Sequence, residues 1–270
     1  MRQAGSDKII IKPRRRQQPI FSPFTCMPLF LAVLISSGNQ IDIRMIVVVG
    51  GIKGGSGKTT IATNLAVMRS AENRDLLLID ADDQETATDF TILRNERTEG
   101  NAGYTSIQLA GPAVRAQTQR LADKYQDIVI DTGGRDTTSQ RAALTVADLL
   151  LVPFVPRSFD IWTLEKVGAL VEEMKPANPR LKAYAFLNRA DSRGQDNEEA
   201  MSFLRESAAL TFVDTPIGSR KAFANAAAQG LGVTELKPAD LKAVDEIQLL
   251  YRYIFDIRSV SSVSQPGRTG

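Results

Sequence analysis

Met45-Ile46-Val47-Val48-Val49-Gly50-Gly51-Ile52-Lys53-Gly54-Gly55-Ser56-Gly57-Lys58-Thr59-Thr60 is the stretch from which the rest of this 270-residue chain is read. A β-branched run ends in paired glycines, and Ile61, Leu65 and Met68 follow at helical spacing, so the segment reads strand, turn, helix. Glycines at 54, 55 and 57 let successive backbone N–H groups turn inward, forming an anion nest at the N-terminus of that helix. In this frame Lys58 would sit on the β- and γ-phosphates of a nucleotide, and the Thr59 hydroxyl would go to Mg²⁺. The usual phosphate-loop pattern has Gly where Ile52 stands, so the standard expression fails by one position. The plainer alternative is a glycine-rich turn carrying solvated lysines.

Downstream, strand and helix patterns alternate. Leu76 to Ile79 reads as a strand ending in Asp80, Thr86 to Leu93 as a helix and Thr105 to Leu109 as a weaker strand. Pro112 to Lys124 reads as a helix with Pro in its first turn, Ile128 to Ile130 as a strand ending in Asp131, and Thr138 to Val146 as a helix. Leu149 to Val152 reads as an apolar strand stopped by Pro153, Phe159 to Met174 as a helix, Ala183 to Leu187 as a strand and Asn197 to Ala209 as a helix. Arg220 to Ala228 is a short helix, Ala239 to Ile257 a final amphipathic one, and a polar tail runs from 259 to 270. Short strands apolar on both faces, interleaved with helices, predict an α/β fold: a mostly parallel twisted sheet flanked by helices on both faces. Ligands in such sheets bind beyond the carboxyl ends of the strands, which singles out the loops after Val49, Ile79, Ile130, Val152 and Leu187.

Those loops carry a family resemblance. Lys-Gly-Gly-x-Gly-Lys-Thr-Thr, with a second lysine at 53, resembles the deviant Walker motif of the ParA/MinD family of ATPases. From Met45 to Ile257 the chain is similar to a ParA-type partition ATPase, a P-loop NTPase of the deviant Walker class. The resemblance implies ATP and Mg²⁺ as cofactors, held by Lys53, Gly54, Gly55, Ser56, Gly57, Lys58, Thr59 and Thr60. It also implies that Lys53 reaches across a homodimer interface to the partner's ATP, a cation supplied in trans as an arginine finger is. Asp80-Ala81-Asp82-Asp83-Gln84 resembles the family's Asp-x-Asp-Pro-Gln, in which Asp82 would orient the attacking water and Asp80 would lie near the Mg²⁺ shell. Asp83 stands in place of the usual Pro, and an acidic surface loop is the alternative. Asp127 to Gly134 resembles the Walker B strand, so Asp131 would hold Mg²⁺ through water. Gly133 and Gly134 stand where relatives often have prolines, and Asp136 reads as a helix N-terminal acid. Pro153-Phe154-Val155-Pro156, followed by Asp160, resembles the family's Pro-x-x-Pro segment. Asn188-Arg189 matches its Asn-Arg pair, which would put the Asn188 amide on the adenine edge; an ordinary turn residue is the alternative. The segment from Thr215 to Glu235 resembles the family segment in which cations bind DNA without sequence preference. Arg220 and Lys221 are the candidates there, with Lys237 and Lys242 next, against the alternative of a solvated face.

Composition narrows the chemistry. The chain has no histidine and one cysteine, Cys26, which excludes Ser-His-Asp triads, His-ligated metals and an intramolecular disulfide. Residues 1–44 carry seven basic groups against two acids, while the remainder has 26 against 29, so any DNA site must be a local patch. The stretch 1–44 superficially resembles a signal peptide, with an Arg run and an apolar run from Pro28 to Ile35 that is short of the ~20 residues needed to span a bilayer. Because a nucleotide loop follows immediately, it reads instead as a disordered leader or an over-extended start, with export the alternative. A single ATPase domain is expected over 45–258. The functional expectation is a cytoplasmic, nucleoid-associated partition ATPase whose ATP-driven dimer binds DNA and is stimulated by a ParB-like partner. The alternatives are a MinD-like or other positioning ATPase acting on membrane or protein cargo, and a nucleotide-binding scaffold without turnover. A stable membrane anchor is not expected, since the tail supplies no amphipathic helix. A nitrogenase-iron-protein-like reductase lacks its cysteines here, and a tyrosine-kinase relative lacks its tyrosine-rich tail.

Overall fold

In β1 (Met45–Val49) all five residues are buried, and because successive Cβ atoms point to opposite faces, both faces of the sheet need cover. The computed structural model describes residues 44–191 and 195–261. Met45, Val47 and Val49 join one apolar cluster, to which α1 (Lys58–Ala71) brings Ile61 and Leu65 and α2 (Thr86–Arg97) brings Ala87. Ile46 and Val48 join the other, with Val114 of α3 (Ala113–Leu121), Leu144 of α4 (Thr138–Leu144), Val167 of α5 (Ile161–Met174) and Leu204 of α6 (Gln195–Glu206). The first face is completed by Phe223 of α7 (Lys221–Ala227) and Ile247 of α8 (Leu241–Ser261).

The sheet runs in the order β3 (Thr105–Gln108), β2 (Leu76–Ala81), β4 (Asp127–Thr132), β1, β5 (Leu149–Phe154), β6 (Lys182–Ala190), β7 (Thr211–Phe212), with β8 (Ile217–Gly218) also on β6. Every pairing among the described residues is parallel. The expected α/β architecture is therefore observed, with β1 at the centre and its carboxyl end flanked by those of β4 and β5.

Several elements differ from the sequence expectation, most tellingly at β5, β7, β8 and α8. Pro153 does not stop β5, which continues to Phe154 and pairs Pro153 with Phe186. The Leu151 carbonyl accepts from Gly50 N at 3.1 Å, so the nitrogen of Pro153, two residues on, turns to the same edge, beyond where the β1 register ends. No ladder donor is missed there. The two-residue strands β7 and β8 are too short to show a period. Finally, α8 starts at Leu241 rather than 239 and runs to Ser261, so the start of the expected tail is helical, while 262–270 lie outside the described residues. The expected leader also lies outside them, except Arg44, whose guanidinium pairs with Asp123 at 2.6 Å.

Candidate functional site

The loop after β1 turns through Gly55 and Gly57 at φ 74° and 89°, and Gly57 is the N-cap of α1. A Cβ at Gly57 would lie 2.4 Å from Asn188 Nδ2, so this position needs glycine for both conformation and space. Asn188, at the end of β6, is buried and donates to the Ser56 carbonyl at 2.7 Å. Its amide NH₂ thus braces the phosphate loop. Arg189, its neighbour, holds φ 55° and lines the cleft above.

That cleft, ≈ 690 Å³, is bounded by Gly54, Gly55, Gly57, Lys58, Thr59 and Thr60 on one side and by Asp82, Gly133 and Arg135 on the other. Lys58 is buried and donates to the Lys53 carbonyl at 3.0 Å. Burial holds its pKa below the usual lysine value, while Asp131 and Asp82 pull it back up. Asp131, the next-to-last residue of β4, is fully buried, and neither carboxylate oxygen has a hydrogen-bond partner. Burial raises its pKa to about 8, against the lowering influence of the Thr59 hydroxyl and of Lys58. A carboxylate in that position calls for a cation. Among the described residues no group of three or more His, Cys, Asp or Glu side chains could hold a metal, so the fit is to a divalent ion that takes its other ligands from phosphate and water. Mg²⁺ has that habit, and Thr59 and Asp131 are the residues that would hold it.

Asp80 is equally buried but fully engaged. One oxygen accepts from Thr88 N and Oγ1, both at 2.8 Å, and the other from Asp82 N at 3.2 Å. It therefore fixes the turn from β2 into α2 and so the position of Asp82, which accepts from Gln84 N at 3.2 Å. Lys53 forms an ion pair with Asp160 Oδ2 at 2.8 Å within the same chain. Asp160 also caps α5 through Thr163 N at 2.6 Å, and Lys53 with Thr163 holds its pKa down to about 2. An ion pair this exposed contributes only ~0.2–1 kcal/mol, so a nearby phosphate can draw the lysine away.

Of the expected DNA-binding cations, Arg220 is committed elsewhere. Glu246 accepts from its Nε at 2.8 Å and from its second guanidinium nitrogen, and the same carboxylate takes Gly218 N at 3.0 Å. Arg220 thus joins α8 to β8, whereas Lys221, Lys237 and Lys242 are exposed and have no ion pair among the described residues. Asp136 immediately precedes Thr137, the N-cap of α4, whose side chain accepts from Gln140 N. Sequence reasoning missed Gln140, whose Oε1 accepts from Gly51 N at 3.2 Å and Thr132 Oγ1 at 3.1 Å and clamps the ends of β1 and β4. It also missed Arg135; no motif position draws the eye to either side chain.

Comparison with known proteins agrees with this geometry. Residues 47–233 match the model of the CobQ/CobB/MinD/ParA nucleotide binding domain. The chain is 31% identical over 194 residues to maintenance of carboxysome distribution protein A of Gloeobacter kilaueensis, covering 71% of this chain and 84% of that protein. To the protein of the same name from Halothiobacillus neapolitanus it is 27% identical over 201 residues, 74% of this chain and 91% of that protein. The fold is that of a plasmid partition protein of Borrelia burgdorferi solved with AMPPNP, at TM-score 0.63 and 18% identity, covering 79% of this chain and 99% of that one.

Proposed function

The chain belongs to the CobQ/CobB/MinD/ParA nucleotide-binding family, and from that premise we propose that it is a partition-type ATPase. ATP with Mg²⁺ is bound at the β1 loop, two copies close on one another, and the dimer binds DNA without sequence preference. A ParB-like partner then stimulates hydrolysis, releasing the dimer so that a cargo is segregated or positioned in the cytoplasm, on the nucleoid.

The observation that carries this reading is Asp131, wholly buried with both oxygens unpartnered, and close enough to Thr59 and Lys58, which line the cleft, to feel both. Bound beside Thr59 and Asp131, Mg²⁺ would supply charge withdrawal from the phosphates. The chain does the rest by positioning and electrostatics. Backbone N–H groups of residues 54–59 hold phosphate oxygens, Lys58 neutralises them, and Asp82, fixed through Asp80, orients the water. Lys53, released from Asp160, completes the partner's site, which ties hydrolysis to dimerisation.

A positioning ATPase for a protein assembly is the second reading, favoured by the two carboxysome-distribution relatives. Both readings differ from a scaffold without turnover in one measurement, steady-state ATP hydrolysis by the full chain with Mg²⁺, DNA and the partner. Stimulated hydrolysis is expected, with Asp82→Ala and Lys53→Gln abolishing the stimulation. A Lys53→Gln protein hydrolysing at the unsubstituted, partner-stimulated rate rules out the lysine in trans, and absence of any turnover leaves the scaffold.

A further inference from the structure

Arg135 stands at the phosphate cleft without a role. The two residues before it are pinned. A Cβ at Gly134 would meet Gly54 Cα at 2.6 Å and Gly54 N at 2.7 Å, and a Cβ at Gly133 would meet Asp82 Oδ1 at 3.0 Å. The end of β4 is thus wedged between the phosphate loop and the acid loop, and Arg135 leaves that wedge lining the same cleft as Lys58, Thr59 and Asp82. Thr137, capping α4 two residues later, fixes the other side of the turn.

Its charge is uncompensated. Asp136, the acid next in sequence, accepts from Arg141 Nε and a second guanidinium nitrogen, both at 2.7 Å, and Arg141 extends to Glu173 at 2.6 Å. Among the described residues Arg135 has no ion pair or hydrogen bond of its own. The cleft has two distinguishable ends. Arg189 lies by Gly57 and Asn188, where the loop turns into α1, whereas the two glycines before Arg135 abut Gly54 and Asp82, the side of the candidate cation site.

We propose that Arg135 is a γ-phosphate contact supplied in cis: its guanidinium bonds the terminal phosphate of ATP and has no partner on ADP. The inference rests on the nucleotide reading above and adds a residue that separates the two nucleotides. A guanidinium presents a planar fork to phosphate oxygens, and such charge-assisted bonds are about twice as strong as neutral ones. The side chain is exposed, so the γ-phosphate contact should amount to roughly a tenfold affinity difference.

The test is titration of the full-length protein with ATPγS and with ADP, both with Mg²⁺, for the unsubstituted chain, Arg135→Ala and Arg135→Lys. Arg135→Ala should lose about tenfold in ATPγS affinity while ADP affinity stays within about twofold, and Arg135→Lys should recover part of the loss. Equal losses for both nucleotides, or none for ATPγS, overturn the proposal. If the unsubstituted chain binds neither nucleotide, the nucleotide reading itself falls, and this one with it.

Discussion

Lys53 and Asp160 form an ion pair that Lys53 would have to leave under the proposed mechanism, and its strength follows from exposure. With side chains 39% and 33% exposed, the pair is a weak latch. Asp160→Asn keeps an oxygen for capping α5 but drops the charge, so it isolates the latch from the cap. Because the folded-state pKa of Asp160 lies at about 2, below the ordinary 3.8, the ion pair stabilises the fold above pH 3.8 and ceases to do so as pH falls through about 2. Melting midpoints of the two proteins should differ modestly near neutral pH and converge across that interval; a constant gap over the whole range sinks the latch. Lys53 and Asp160 both stood out in the sequence as motif residues. Their pairing did not, since the two lie over a hundred positions apart.

At the scale of elements, Asp127 ties three of them together at the end of the sheet away from the cleft. Its buried carboxylate accepts from Met45 N of β1 at 3.0 Å and from Nε of Arg69 at 2.7 Å and of Arg74 at 3.1 Å. Arg69, on α1, in turn lies 4.4 Å from the Phe255 ring of α8. Removing the acid takes a shared, buried carboxylate away from both guanidinium groups, of which Arg69 keeps Glu72 at 2.7 Å. Asp127→Ala should therefore cost on the order of 3 kcal/mol, seen as a lower urea midpoint with unchanged slope. A change below about 1 kcal/mol would mean that the arginines rehydrate without loss. The strands and helices themselves were legible from apolar runs and 3.6-residue spacing, and element ends were less so. Pro153 reads locally as a stop, yet it is accommodated because β1 has already ended on the side its nitrogen faces. Asp127 reads merely as the residue before an apolar strand, and only the packing of α1 turns it into a buried ionic centre.

For the whole molecule, charge decides how DNA could be held. The net negative balance beyond residue 44 would restrict the proposed DNA binding to a few placed cations, of which Arg220 is paired with Glu246. Substituting Lys221, Lys237 and Lys242 together by Gln should weaken DNA binding and flatten its salt dependence, by about 0.9 in log–log slope for each phosphate no longer neutralised. Arg220→Gln should instead destabilise the fold, since it strands Glu246 between β8 and α8. If Arg220→Gln lowers DNA affinity at unchanged melting temperature while the triple substitution does nothing, the assignment is reversed. No helix among the described residues is long and apolar enough to cross a membrane. By itself the sequence determined the layered α/β class, the phosphate loop and the three acids at strand ends, because periodicity, glycine spacing and strand punctuation are local properties. Only the tertiary structure decided that Asn188 braces the loop, Asp80 anchors the turn, Gln140 clamps two strands, Lys53 rests on Asp160 and Arg135 faces the cleft. Those roles depend on which side chains meet across the sheet, and that is set by strand order and helix packing rather than by neighbours in the chain.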